Sequence, residues 1–202
     1  MQLKLNIFPK LIVLFISIFL ISNVMAYEEP QYTVIKKNSV YEIRYYKDRL
    51  AVQTTYNSDG GGFRKLFNYI SGSNKRSNKK NIMTSITESE KIAMTIPVTQ
   101  TEEGKKMVMQ FYLPSNYTIE SAPIPNDSKV KIVHIEGGYF AVIQYSGRST
   151  EKNFIKHKRI LREKLIDDGI EIKSKGIKAT YNGPFTIPIL RRNEAMFKIN
   201  IK

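Results

Sequence analysis

The chain has few side chains that could catalyse a reaction or hold a metal ion. Its 202 residues include no Cys and two His, which are His134 and His157. The absence of thiols excludes disulfides, thiolate catalysis, cysteine zinc sites and iron–sulfur clusters. Neither His lies near a nucleophile elbow, and we find no paired carboxylates or phosphate-binding glycine loop. We therefore expect a protein that is not an enzyme.

The charge balance favours anionic partners. Lys and Arg number 32 against 18 Asp and Glu, which gives a formal net charge of +14. Part of this charge lies in a polar stretch, residues 74–81, that has no periodicity and so predicts a mobile surface loop. The alternative is that its basic part, residues 75–80, contacts an anionic membrane surface. We expect no nucleic-acid partner.

The first 26 residues have the pattern of a secretory signal. Lys4 and Lys10 precede an apolar run, and Val24 and Ala26 fit the small or apolar positions before a signal-peptidase site. This pattern predicts cleavage after Ala26 and export to the periplasm or the medium. A single membrane anchor is the alternative, although the run is shorter than a typical spanning helix.

The remaining chain is predicted to contain the same elements twice, in residues 32–113 and 130–202. In the first copy, apolar residues at Phe63, Leu66, Phe67 and Ile70 predict one face of a short helix, which Gly72 ends. In the second copy, Ser149 or Thr150 is placed to cap a helix that runs to Asp168. Runs rich in Val, Ile and Tyr flank both helices and predict strands.

A constant offset of 91 residues links the two copies. It relates Phe63 to Phe154 and the stretch 95–98 to 186–189, both of which contain Thr-Ile-Pro. The pattern predicts an α+β fold made of a duplicated β-β-α-β-β unit, with a curved sheet or open barrel and two helices packed outside. Neither half has enough apolar surface to be stable alone, so we treat residues 27–202 as one domain.

Several short motifs in this region resemble one family. They are Tyr41–Tyr46 (YEIRYY), Lys91–Thr99 (KIAMTIPVT), Phe111–Pro114 (FYLP), Pro123–Asp127 (PIPND) and Arg191–Glu194 (RRNE). Their order and spacing resemble the SOUL family of haem-binding proteins. The resemblance implies a distorted eight-stranded antiparallel barrel with two helices, similar to the ligand-sensing domain of bacterial multidrug-responsive regulators. It also implies non-enzymatic binding of haem or another tetrapyrrole.

Haem needs an apolar slot with a basic rim. In the family the first helix borders the haem, which makes Phe63, Arg64 and Phe67 candidate contacts, while Leu66 and Ile70 are expected to pack on the sheet. Arg191 and Arg192 could bind the propionates or pair internally. Another hydrophobic or anionic small ligand in the same cleft is the alternative to haem. We expect a monomer.

The residue at the position of the proposed axial iron ligand differs from that in part of the family. Some members have His directly after Tyr-Glu-Ile-Arg, whereas this chain has Tyr45. A tyrosinate ligates ferric haem in catalase, so Tyr45 is a candidate iron ligand, and a packing role is the alternative. His157 lies in the apolar stripe of the second helix and is a second candidate, although a semi-buried core role fits that stripe as well. His134 is expected at the surface.

Overall fold

The computed structural model describes residues 27–57, 61–76 and 88–201. These residues form two α-helices, one 3-10 helix and twelve strands. The helices are α1 (Gly62–Ile70) and α2 (Glu151–Asp167), and the 3-10 helix is Pro188–Leu190. The strands are β1 (Tyr32–Lys37), β2 (Glu42–Tyr46), β3 (Arg49–Tyr56), β4 (Asn74–Lys75), β5 (Val98–Glu103), β6 (Lys106–Tyr112), β7 (Ile124–Pro125), β8 (Val130–Ile135), β9 (Gly138–Tyr145), β10 (Glu171–Ile172), β11 (Ile177–Thr180) and β12 (Asn193–Asn200).

Ten of the strands form one curled antiparallel sheet. Its order is β1-β2-β9-β12-β11-β5-β6-β3-β8, and β10 also pairs with β12. The two end strands, β1 and β8, do not pair with each other, so the sheet is a half-barrel. The α+β fold with a duplicated unit and two helices is confirmed. The barrel is open, however, and it has more strands than the eight that were predicted.

The first strand of each β-β-α-β-β unit, β2 or β8, pairs with a strand of the other half of the chain. Each half contains the predicted β-β-α-β-β order, but β2 pairs with β9 of the second half, and β8 pairs with β3 of the first. The turn at Gly137–Gly138 therefore joins two strands that are not neighbours. The two Thr-Ile-Pro stretches also differ in position. One precedes β5, and the other lies between β11 and β12.

Local sequence explains the ends of several elements. The predicted break at Asn38 is a turn in which Asn38 Oδ1 accepts hydrogen bonds from the backbone N–H groups of Val40 and Tyr41, both at 2.8 Å. Thr150 caps α2 by accepting from the N–H of Asn153 at 3.3 Å. After α1, Gly72 has φ +112°, a conformation that favours glycine.

Each helix packs on its own half of the sheet. α1 lies over β3, β6 and β8, and α2 lies over β9, β10 and β12. As expected, Leu66 and Ile70 are buried beneath α1, whereas Phe63 and Phe67 are each 48% exposed. The opposite face of the sheet, which we call the inner face, has its own apolar cluster that includes Tyr46, Phe140, Val142, Ala179 and Met196.

The basic stretch begins as ordered structure. Asn74 is buried in β4, where its amide donates to the carbonyls of Tyr69 and Glu90 at 2.7 and 2.8 Å. Arg76 forms an ion pair with Glu88 at 3.4 Å. The prediction of a mobile loop is therefore wrong for residues 74–76, because buried hydrogen bonds hold the start of the stretch. Residues 77–80 lie outside the described residues, so contact with an anionic membrane stays a prediction.

The predicted signal, residues 1–26, also lies outside the described residues. Among the described helices, neither has the length and apolar character needed to cross a membrane. The described residues contain no group of three or more His, Asp or Glu side chains placed to hold a metal ion.

Candidate ligand-binding groove

A groove of about 980 Å³ opens where the two edges of the half-barrel fail to meet. One wall comes from the segment before β1 and from Tyr32 and Tyr45 on β1 and β2. The other wall comes from Leu50 on β3, His134 on β8 and the segment 112–120. The groove exists because β1 and β8 are sheet edges, and its position follows directly from the strand order.

The rim of the groove carries both signs of charge. Lys47 and Arg49 contribute positive charge, and Glu28, Glu29 and Asp48 contribute negative charge. Glu28 accepts a hydrogen bond from the backbone N–H of Ser115 at 2.8 Å. The rim thus carries mixed charge, whereas we expected a basic rim because haem carries two carboxylates. Aromatic rings and cations are nevertheless available for a flat anionic ligand.

Tyr45 is the predicted iron ligand that lines the groove. Its side chain is 40% exposed, and its ring centroid lies 5.2 Å from that of Tyr139. His134 also lines the groove, with its Nε2 atom 3.2 Å from Asp48 Oδ2 and with 57% of its side chain exposed. Both a phenol and an imidazole are therefore available at the groove.

Phe63, Phe67 and Arg64 lie elsewhere, on α1. The two Phe rings are stacked with centroids 5.8 Å apart, and Phe63 also contacts the edge of Phe111 at 5.2 Å. Arg64 is exposed beside them. None of the three lines the groove. The structure therefore separates the helix patch from Tyr45.

Arg191 and Arg192 make internal contacts. Arg191 donates to the carbonyls of Thr186 and Pro184 at 2.7 and 2.5 Å, which holds the loop before β12. Arg192 forms ion pairs with Glu194 and Glu29, both at 3.0 Å. These contacts match the internal role considered for the two residues, and propionate binding by them stays a prediction.

Glu194 is the centre of a buried network on the inner face. It is 0% exposed and accepts from Arg44 Nη1 at 3.1 Å, from Arg192 Nη2 at 3.0 Å and from the hydroxyl of Tyr181 at 2.7 Å. Burial lowers the pKa of Arg44, but the charge of Glu194 and the contacts with Tyr46 and Glu42 together outweigh it and raise the pKa above its usual value. Burial also raises the pKa of Tyr181, and Glu194 adds to this effect. Arg192 also joins this network to Glu29 at the groove.

His157 lies on α2, away from the groove residues. Its ring stacks on Tyr145 with centroids 4.0 Å apart and planes within 3°, and its Nδ1 atom is 2.8 Å from the carbonyl of Asn153. These contacts match the semi-buried packing role.

Arg49 is one of the groove residues that sequence reasoning missed, as are Tyr32, Leu50 and Leu113. It also lines a second cavity of about 470 Å³, which opens on the inner face between Gln110, Phe140 and Lys198. Strand alternation places Arg49 on the inner face with Gln53. No local signal, however, shows that two cavities meet at its side chain.

A curled antiparallel sheet with two helices and a groove between its free edges defines an α+β fold with a concave opening. The chain belongs to the SOUL heme-binding protein family, whose model matches residues 27–198. No curated protein sequence matches the chain significantly.

Solved structures share the fold at low sequence identity. The C-terminal domain of EcmrR matches with a TM-score of 0.55 and 10% identity, over 84% of this chain and 98% of that one. A protein described as a hydrolase from Listeria innocua matches with a TM-score of 0.54 and 11% identity, over 82% of this chain and 94% of that one. At these identities the comparison shows a common fold.

Proposed function

We propose that this protein binds haem or a related tetrapyrrole in the groove and does not transform it. Family membership supports the ligand class, since the matched family is described as heme-binding. The observation that carries the choice of site is the groove itself. Its volume of about 980 Å³ lies at the upper end of the range of about 300–1,000 Å³ that small-molecule sites occupy.

The groove residues fit the chemistry of such a ligand. The rings of Tyr32 and Tyr45 provide flat apolar surface for a macrocycle, and Leu50 and Leu113 add aliphatic surface. Arg49 provides a cation for a propionate. Haem, when bound, brings an iron that accepts a phenolate ligand. Tyr45 is the side chain that would hold it.

A second candidate is another hydrophobic or anionic small ligand in the same cleft. The mixed charge of the rim favours the hydrophobic form of this alternative, because Glu28 and Asp48 would repel a propionate or any other anion placed beside them. Competition between hemin and flat aromatic carboxylates that lack iron distinguishes the two candidates. A hemin-specific groove keeps its hemin in the presence of a large excess of such competitors.

Hemin titration followed by absorption tests the proposal. Binding shifts the Soret band away from that of free hemin, and Tyr45→Phe changes the spectrum and weakens binding. Tyr139→Phe is the matched control, because the Tyr139 ring packs against Tyr45 at a tilt of 59° but does not line the groove. A free-hemin spectrum that persists at micromolar protein refutes haem binding.

The family resemblance also makes the α1 patch a possible haem site, and the same titration separates the two locations. We expect Phe63→Ala and Phe67→Ala to leave hemin affinity within about twofold of the wild type. If these two variants lose hemin while Tyr45→Phe keeps the wild-type affinity and spectrum, the ligand binds on α1 and the groove assignment is wrong.

We further propose that the chain is exported and that its signal is removed after Ala26. The basic and apolar pattern of residues 1–26 supports this. Mass spectrometry of the protein from the extracytoplasmic fraction tests it. A mature N-terminus at Tyr27 is expected, and a protein that retains residues 1–26 in the membrane fraction indicates an anchor.

A further inference from the structure

Three arginines lie on or beside the inner face, and they differ in their partners. Arg44 and Arg192 each form ion pairs with two carboxylates, and both share Glu194. Arg49 forms no ion pair with any residue in 27–57, 61–76 or 88–201. Its neighbour Asp48 is engaged by His134 and by the backbone N–H of Gly137. Within the described part of the chain, Arg49 is thus a positive charge without an ion-pair partner.

Aromatic rings fix the guanidinium of Arg49 in place. The rings of Tyr46 and Tyr112 each lie 4.7 Å from its central carbon, and Phe140 lies at 5.6 Å. Such stacking stabilises the cation but provides no hydrogen-bond acceptor in the plane of the group. The faces of the guanidinium are therefore occupied, while its edges remain for polar partners.

Most of the donors of Arg49 are not used. A guanidinium has five N–H donors. Here Nη2 donates to the Tyr112 hydroxyl at 3.3 Å, Nη1 donates to the Lys47 carbonyl at 3.5 Å, and the buried Nε has no partner among the described residues. Since a partly desolvated charge with unmet donors is costly, the arrangement indicates a partner that binds from the cavity.

We propose that Arg49 is the carboxylate-binding residue of the groove, and that the ligand is a flat conjugated molecule with at least one carboxylate. The Nη edge is the part that carboxylates bind with two parallel hydrogen bonds, and both cavities reach this side chain. Tyr32 and Tyr45 line the same groove and provide the surface for the flat part. For haem, the inference rests on the proposed function, since the carboxylate is then a propionate.

The first test compares hemin with hemin dimethyl ester, whose two carboxylates are blocked. The wild-type protein should bind hemin about 10- to 100-fold more tightly than the ester, which is the range for a charge-assisted hydrogen bond. In Arg49→Gln this ratio should fall to near one, because hemin affinity drops and ester affinity does not. Arg49→Lys should give an intermediate ratio, since it keeps the charge but loses the planar edge.

The control is Arg159→Gln, which removes the same charge from an exposed site on α2, where the side chain is 72% exposed. It should keep the wild-type ratio of hemin to ester affinity. Thermal melts of every variant show whether it is folded. If Arg49→Gln does not fold, Arg49→Lys and the wild-type ratio still decide the question. Equal wild-type affinity for hemin and its ester, or an unchanged ratio in a folded Arg49 variant, overturns the inference.

A second pair of probes separates this inference from the haem proposal. Pyrene-1-carboxylate and pyrene-1-methanol are flat and fluorescent, and they differ in charge. If the wild type prefers the carboxylate and Arg49→Gln loses this preference, the role of Arg49 is supported, whether or not hemin binds. Failure of hemin to bind refutes haem as the ligand. If hemin does not bind and pyrene-1-carboxylate binds no more tightly than pyrene-1-methanol, the role of Arg49 is refuted.

Discussion

Replacing Glu194 with glutamine removes the charge on which two arginines converge, and it keeps the size of the side chain. Arg44 is 3% exposed, so it cannot recover water when its partner is neutralised. The glutamine amide also places a donor where the carboxylate accepted hydrogen bonds. We expect Glu194→Gln to destabilise the protein substantially.

The magnitude follows from the partners that remain. Breaking a buried ion pair by removing one member costs about 3–5 kcal/mol. Arg44 keeps Glu42 at 2.7 Å, and Arg192 keeps Glu29 at 3.0 Å, so neither arginine is left alone. We therefore expect the lower end, about 3 kcal/mol. At about 2–4 °C per kcal/mol for a domain of this size, the melting temperature should fall by about 6–12 °C.

Urea unfolding followed by far-UV circular dichroism measures this change. The matched control is Glu163→Gln on α2, where the carboxylate is 63% exposed and lies 3.8 Å from Arg159. An exposed helix pair contributes about 0.3–0.5 kcal/mol, so the control should stay within that range. The reasoning is refuted if the free energy of unfolding of Glu194→Gln lies within about 1 kcal/mol of the wild-type value or above it. This threshold is about one third of the expected loss.

Further variants test other parts of the fold. Arg49→Met should change the free energy of unfolding by less than about 1 kcal/mol, as equilibrium unfolding will show, because no carboxylate loses its partner. Burial raises the pKa of Tyr46 to about 12. Its contribution to stability is therefore complete below pH 10, and about 2–3 kcal/mol is lost as the pH rises through 12. Urea midpoints measured at rising pH should fall less steeply in Tyr46→Phe. Phe185 is 98% exposed, so Phe185→Ser should stay within about 0.5 kcal/mol of the wild type in the same assay. Thr150→Ala should cost about 1 kcal/mol through the lost cap, and a thermal melt that does not move would contradict that role.

The sequence predicted both helices and most of the long strands, but not the short strands β4, β7 and β10 or the way in which the strands pair. Apolar spacing identified α1 and its buried residues Leu66 and Ile70, because a helix face depends on local periodicity. The pairing of β2 with β9 joins residues about a hundred positions apart, and no local pattern records it. The usual preference for adjacent strands would have paired β8 with β9 instead.

The site was harder to predict because it depends on charge partners from several strands. Arg191 and Arg192 were indistinguishable in sequence, but β12 begins at Asn193 and extended backbone leads into it. Arg192 therefore lies on the same side as Glu194, whereas Arg191 turns toward the preceding loop. Whether Arg49 has an ion-pair partner depends on the side chains that four different elements place around it. This can be determined from the folded structure but not from the local sequence.

The exchange of β2 and β8 also affects how the chain is made. When the first 113 residues have emerged from a ribosome, β3 still has a free edge where β8 will pair, and β2 lacks β9. Neither edge is satisfied until residues 130–145 have been synthesised. Long-range pairing of this kind slows folding, because a long loop must close before the contacts form. A first half that lacks residues 130–145 therefore leaves the edges of β2 and β3 unpaired.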